Sequence, residues 1–146
     1  MRILIAMDES DHSFRAAEAV SRSIRHENSH VLLLHVLEPP AILEPDQSFW
    51  KREEQAKIFL KNASAQLQSE GFQEIEIRVA EGEAPSKIVE TAQQWNADFI
   101  VLGSQGRTSL ASILLGSVTE FVARQARCSI VIVRKPDGPR TRSPEK

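Results

Sequence analysis

Glycine, serine and one arginine are spaced near the C-terminal end of the chain in a way that suits phosphate. The run Asp98-Phe99-Ile100-Val101-Leu102-Gly103 reads as a buried strand that runs out into a glycine, and Ser104, Gln105, Gly106 and Arg107 follow it. Nine residues separate Gly106 from the pair Gly116-Ser117. Glycine lets main-chain N–H groups come close to a ligand. A helix that starts at Gly116-Ser117 directs its unpaired N–H groups and positive dipole end outward. Arg107 adds a cation that can pair with phosphate oxygens. The pattern is G-x-x-G, nine residues, then G-S, and the chemistry it suits is nucleotide binding.

It is neither of the two commonest phosphate loops. No Gly-Lys-Ser/Thr follows, so it is not a P-loop. The dinucleotide signature G-x-G-x-x-G is absent too, and the loop follows a late strand rather than the first. On its own G-x-x-G describes an ordinary strand-to-helix turn. Gly116-Ser117 and Arg107 make the phosphate reading the better one.

The elements that must position these residues follow from the apolar rhythm. Residues 2–7 form a short apolar run that Asp8 closes. Ser10 or Asp11 can cap a helix that carries Phe14, Ala17, Ala19, Val20 and Ile24 at helical spacing. Residues 31–37 are almost continuously apolar, as a strand covered on both faces requires, and Pro39 and Pro40 end them. After Pro45-Asp46 a long helix is expected, with Phe49, Ala56, Phe59, Leu60, Ala63 and Leu67 in one stripe and Gly71 as its stop. Residues 75–79 alternate like a strand near an edge. Pro85 suits the first turn of a helix bearing Ile88, Val89, Ala92 and Trp95. Residues 98–102 give a fourth strand, a helix runs from Gly116 or Ser117 to about Ala126, and residues 130–133 give a fifth strand.

This β-α alternation predicts an α/β fold, a single-domain open parallel five-stranded sheet with helices on both faces. Its expected strand order is 3-2-1-4-5, doubly wound and Rossmann-like. Ligands bind such sheets beyond the carboxyl ends of the strands, where the strand order reverses. Asp8, the segment after Val36 and the loop after Leu102 all lie at such ends. The tail 135–146 is rich in Pro, Arg and Ser without apolar period, and is expected to be a flexible extension of a domain spanning 1–134.

Composition narrows the class. With 146 residues the chain fits one domain. A net charge of −2 argues against nucleic acid or an anionic membrane as partner. No apolar run reaches the ~18 residues of a membrane span. Residues 1–7 are too short for a secretion signal and Asp8-Glu9 end them, so the expected location is cytoplasmic. The single Cys128 agrees with a reducing compartment.

The residues resemble the universal stress protein family, in its ATP-binding branch, from Arg2 to about Arg134. The most specific part is Gly103-Ser104-Gln105-Gly106-Arg107-Thr108 followed by Gly116-Ser117-Val118-Thr119. Ile3-Leu4-Ile5-Ala6-Met7-Asp8-Glu9-Ser10 is similar to the family's opening strand and acidic turn. His35-Val36 and Cys128-Ser129-Ile130-Val131 also fall where the family has similar residues. The chain departs from it at Ala6-Met7, often Pro-Val, and at Ser129, often proline.

The resemblance implies ATP or another adenine nucleotide as ligand, with magnesium on its phosphates. It implies that Asp8 contacts the sugar or base and that Ala6, Met7 and Val36 surround adenine. Leu102 and Gly103 would border the site, and Gly106, Arg107, Gly116, Ser117, Val118 and Thr119 would hold the phosphates. It also implies a homodimer formed through the last strand.

Other readings stand beside these. Asp8 could simply cap the next helix, although its place at a strand tip favours a ligand role. His35 reads as a satisfied core imidazole, Cys128 as a small buried hydrophobe, and Trp50 and Trp95 as packing residues near helix surfaces. His12, His26 and His30 show no metal-ligand spacing with Cys128. No residue stands out to position water for hydrolysis, so a regulatory nucleotide sensor is favoured, with at most weak ATPase activity. The alternatives are an ATPase or nucleotidyl-transfer enzyme using Asp8 and Gln105, and a nucleotide-independent dimeric interaction module.

Overall fold

A computed structural model of the chain describes residues 1–9, 11–24, 27–40, 47–104 and 115–134. Among the described residues five strands and four helices alternate: β1 Arg2–Ala6, α1 Asp11–Ser23, β2 His30–Leu37, α2 Gln47–Ser69, β3 Glu74–Glu81, α3 Ala84–Gln94, β4 Phe99–Gly103, α4 Ser117–Gln125 and β5 Ser129–Val133. The strands form one sheet in the order β3-β2-β1-β4-β5, and every pairing is parallel. Fold class and strand order are those expected from the sequence, and the element bounds differ from the expected ones by a few residues.

Alternation along the strands sorts the core into two layers, because successive side chains point to opposite faces. Ile3, Ile5 and Met7 of the first segment join Val31, Leu33 and Val101 against α1 and α2, with Ala16, Val20, Leu60 and Leu67. Leu4 joins Leu32, Leu34, Ile100 and Leu102 against α3 and α4, with Ile88, Ala92 and Val122. β1 and β2 lie inside the sheet, so both their faces are covered and both read as continuous apolar runs. β3 is an edge strand and keeps its polar alternation.

The helix ends explain the local turns. Gly71 has φ 110° and follows α2. There Phe72 N–H reaches the Leu67 carbonyl at 3.1 Å and buries its ring, a left-handed cap that favours glycine. Asn96 (φ 54°) does the same for α3, with Ala97 N–H on the Ala92 carbonyl at 2.9 Å. The start of α3 is capped from elsewhere: Glu38, just past β2, places its Oε1 3.1 Å from the Ala84 N–H.

The two tryptophans part company. Trp95 is buried, and the Arg2 guanidinium lies 4.1 Å from its ring centroid, a cation–π contact. Arg2 Nε also donates to the Trp95 carbonyl at 2.8 Å, and Asp98 accepts the Arg2 N–H at 2.7 Å. Together these lock the amino ends of β1 and β4. Trp50, expected as a packing residue, is 66% exposed and meets only the edge of Phe49 among the ring contacts of described residues. It lies near the start of α2, where the face turned to solvent carries no polar requirement.

Candidate functional site

The strand order reverses between β1 and β4, which are neighbours although the five elements α1, β2, α2, β3 and α3 separate them in sequence. Their carboxyl ends flank the switch point at which ligands bind in open α/β sheets. The register Ile5↔Val101, carried two residues further, sets Met7 opposite Gly103. The half-buried Asp8 comes next on the first side and the buried Ser104 on the other.

The first strand's tip is held from β2. Met7 N–H donates to the Leu34 carbonyl at 2.8 Å. The Met7 carbonyl lies 2.6 Å from Nδ1 of the buried His35. A carbonyl only accepts, so this nitrogen carries the hydrogen. His35 is thus a satisfied core imidazole, as its apolar setting suggests. Beyond Asp8 the chain turns at Glu9, whose φ of 65° is left-handed.

The fourth strand's tip is tied to α4. Ser104 N–H donates to the Val133 carbonyl of β5 at 2.9 Å, and the Ser104 carbonyl accepts Gly116 N–H at 2.9 Å. Thr119 then donates its hydroxyl to the Gly103 carbonyl at 2.8 Å. Two hydrogen bonds therefore seat the N-terminus of α4 beside β4, and the third ties the strand tip to β5. Its cap is Gly116, with φ −59° and ψ 153° and no capping side chain. The first N–H groups of a helix lack intrahelical partners. A serine or aspartate at the cap would occupy them, and glycine leaves them for another acceptor. Glu120 in that first turn is exposed, and Arg124 pairs with it at 2.8 Å.

The expected site residues divide by position. Ala6, Val36, Leu102 and Val118 all belong to the core layer on the α3–α4 face. Met7 does not: its side chain is 2% exposed and packs in the α1–α2 layer, so only its main chain reaches the strand tips. Gly103, Gly116, Ser117 and Thr119 gather at the β4–α4 junction. The Thr119 hydroxyl is turned inward to main chain, which no sequence signal distinguished from an outward one. Gly106 and Arg107 lie outside the described residues, as do Gln105 and the tail 135–146.

Two clefts among the described residues lie at the other end of the sheet. One, of about 180 Å³, is bordered by Ala92, Asn96, Ile100 and the half-buried Cys128. The second, of about 420 Å³, is bordered by Met1, Asn28, His30 and Glu74. Both open at the amino ends of the strands, away from the switch point.

The chain matches the universal stress protein family over residues 1–134. It belongs to that family. A universal stress protein of Methanocaldococcus jannaschii is 32% identical over 141 residues, covering 92% of this chain and 82% of the relative. A second protein of that organism, whose structure was solved to assign its biochemical function, superposes with a TM-score of 0.77 at 27% identity, covering 93% and 96% of the two chains. A universal stress protein crystallised in complex with cAMP superposes with a TM-score of 0.72 at 25% identity, covering 92% and 96%. The alternating sheet and the switch point between β1 and β4 are therefore those of universal stress proteins. Among the described residues no helix is long and apolar enough to cross a membrane.

Proposed function

We propose that this universal stress protein binds an adenine nucleotide, in the first instance ATP, across the tips of β1 and β4. The observation that carries the reading is the start of α4, a helix N-terminus capped by glycine and anchored at the switch point. Its Ser117, Val118 and Thr119 N–H groups are the candidate phosphate donors, joined by Gly106 and Arg107 of the G-x-x-G loop. The half-buried Ala6 and Val36, in the same core layer as the buried Leu102, offer an apolar surface suited to a purine. Asp8 stands at the adjoining tip, where a carboxylate can accept from ribose hydroxyls. The relative crystallised with cAMP supports an adenine nucleotide as the ligand class.

Magnesium would arrive on the phosphates. Among the described residues no group of three or more His, Cys, Asp and Glu could hold a metal. Magnesium keeps several waters and readily takes phosphate oxygens in place of a dedicated cage.

The role that fits is regulatory, in the cytoplasm, with residues 1–134 as the nucleotide-binding domain and 135–146 as its tail. Positive charge and helix N–H groups stabilise phosphate, and hydrolysis further requires a group that orients water. Slow or negligible turnover is expected, since no residue of the sequence stands out to orient that water. The last strand is the proposed homodimer contact, since β5 is an uncharged sheet edge.

Isothermal titration of the purified chain with ATP, ADP, AMP and cAMP tests the reading. Saturable heat with ATP at micromolar to millimolar nucleotide is expected, and no saturation with any of the four would reject it. Mass spectrometry of ligand released from gently purified protein identifies the physiological nucleotide.

A further inference from the structure

We infer that His35 is a positioning residue for the nucleoside end of the site, acting through the Met7–Asp8 peptide; the inference rests on the nucleotide reading above. His35 lies on β2, 28 positions from Met7 in sequence, and is 7% exposed. Its Nδ1–H donates to the Met7 carbonyl at 2.6 Å. A trans peptide is planar, so fixing that carbonyl also fixes the Asp8 N–H on the far side of the same plane. Met7 is held twice more, by its N–H on the Leu34 carbonyl at 2.8 Å and by its buried side chain. Immediately after Asp8 the chain turns at Glu9 with φ 65°. Asp8 is therefore the residue between a clamped peptide and a left-handed turn, and the clamp sets where its carboxylate starts.

His35 does not line the nucleoside surface. Strand alternation puts it on the α1–α2 face, where Phe59 of α2 approaches its ring at 6.5 Å between centroids. Its neighbour Val36 packs on the α3–α4 face with Ala6 and Leu102. The effect of His35 on a ligand must pass through Met7 and Asp8.

Titration of ATP into wild type, His35→Leu, His35→Asn and His35→Gln, each with Asp8 and with Asp8→Asn, tests this. His35→Leu should weaken ATP binding about five- to tenfold when Asp8 is present. In the Asp8→Asn background the same change should cost less than about twofold, because residues that act through one another are non-additive. His35→Asn, whose amide nitrogen takes the place of Nδ1, should stay within about twofold of wild type. His35→Gln carries its donor one bond further out and should bind like His35→Leu.

Equal losses in both Asp8 backgrounds, or no loss at all, would overturn the inference. If His35→Leu does not fold, the Asn and Gln variants decide: Asn tighter than Gln supports it, and equal affinities overturn it. A wild type that fails to bind ATP rejects the nucleotide reading itself. Wild-type binding with indifferent His35 variants rejects only this step.

Discussion

The Thr119 hydroxyl lies 2.8 Å from the Gly103 carbonyl oxygen, so the first turn of α4 is stapled to the end of β4. Thr119 is 4% exposed, and the bond closes over a span of 16 residues. Its energetic weight is that of a shielded hydrogen bond whose loss leaves a carbonyl without that donor. Thr119→Val keeps the shape and removes the hydroxyl. It should cost about 1–2 kcal/mol of stability, read from the urea midpoint. The loosened helix start should also weaken ATP binding several-fold, and Thr119→Ser should recover most of both. Lower stability with unchanged ATP affinity would show that the staple serves the fold alone.

Gly116 offers a test in which stability and binding move in opposite directions. Its φ of −59° and ψ of 153° suit any residue, so a side chain brings no backbone strain. Aspartate there can accept the free N–H groups and meet the helix dipole with negative charge. Gly116→Asp should gain a few tenths to about 1 kcal/mol. The same carboxylate competes with phosphate for the same donors and repels it. ATP affinity should fall at least about tenfold. Thermal unfolding and calorimetry on one preparation measure both effects. Tighter or equal ATP binding in that variant would remove the α4 terminus from the site.

Most of the fold was legible because its signals are local. β2 is buried from both sides, and Val31 to Leu37 read as an almost continuous apolar run broken only by His35. Gly71 and Pro85 mark helix boundaries through φ and the missing N–H, which act within a few residues. The strand end and the helix start that bracket the proposed site were legible for the same reason, marked by Gly103 and Gly116. What escaped depends on partners distant in sequence. Nothing near Glu38 announces that its carboxylate caps α3 across 46 residues. The direction of the Thr119 hydroxyl and the packing of the Met7 side chain away from the α3–α4 face were equally unmarked. Trp50 misled because indole size suggests burial, whereas its helix position faces solvent.

Glu9 occupies a backbone region that suits glycine or asparagine. Its φ of 65° follows the clamped Met7–Asp8 peptide, so the turn between β1 and α1 stores strain. A left-handed residue with a side chain costs roughly 1–2 kcal/mol, while glycine adds roughly 0.4–1 kcal/mol of chain entropy to the unfolded state. Glu9→Gly should therefore be neutral to about 1 kcal/mol stabilising. Glu9→Val, β-branched at the same φ, should lose more than about 1 kcal/mol. Denaturant midpoints for the two variants give the sign, and a Val variant as stable as Gly would mean the turn relaxes out of this conformation.

Cys128 gives a pH dependence of definite sign. Burial holds its thiol above the ordinary value; its own backbone hydrogen bond pulls the other way, and the charge of Asp98 adds a smaller upward push. Below the ordinary thiol range both folded and unfolded chains keep the proton, and Cys128 contributes nothing. As pH rises through that range the unfolded chain loses its proton first, so stability falls. Cys128→Ser should remove this part of the alkaline loss. Alkylation by iodoacetamide at pH 8 should be slower in the folded than in the urea-unfolded protein. A folded-state rate equal to the unfolded one would contradict the shielding.

The two sheet edges differ in charge. β3 carries Glu74, Glu76, Arg78 and Glu81, charges that discourage another strand from adding to it. β5 reads Ser-Ile-Val-Ile-Val over Ser129–Val133 and has no charge. It is also wired to the proposed phosphate site, because its Val133 carbonyl holds Ser104 and Ser104 holds Gly116. Pairing of β5 with a second copy would extend the sheet across two such sites. Light scattering on a sizing column should give about 33 kDa for wild type, twice the 16.3 kDa of one chain. Ile132→Lys places a charge on the edge while its stem can still cover apolar surface. It should shift the mass to that of a single chain and leave the fold intact by circular dichroism. A wild type that stays at 16.3 kDa at high concentration would show that β5 is a free edge.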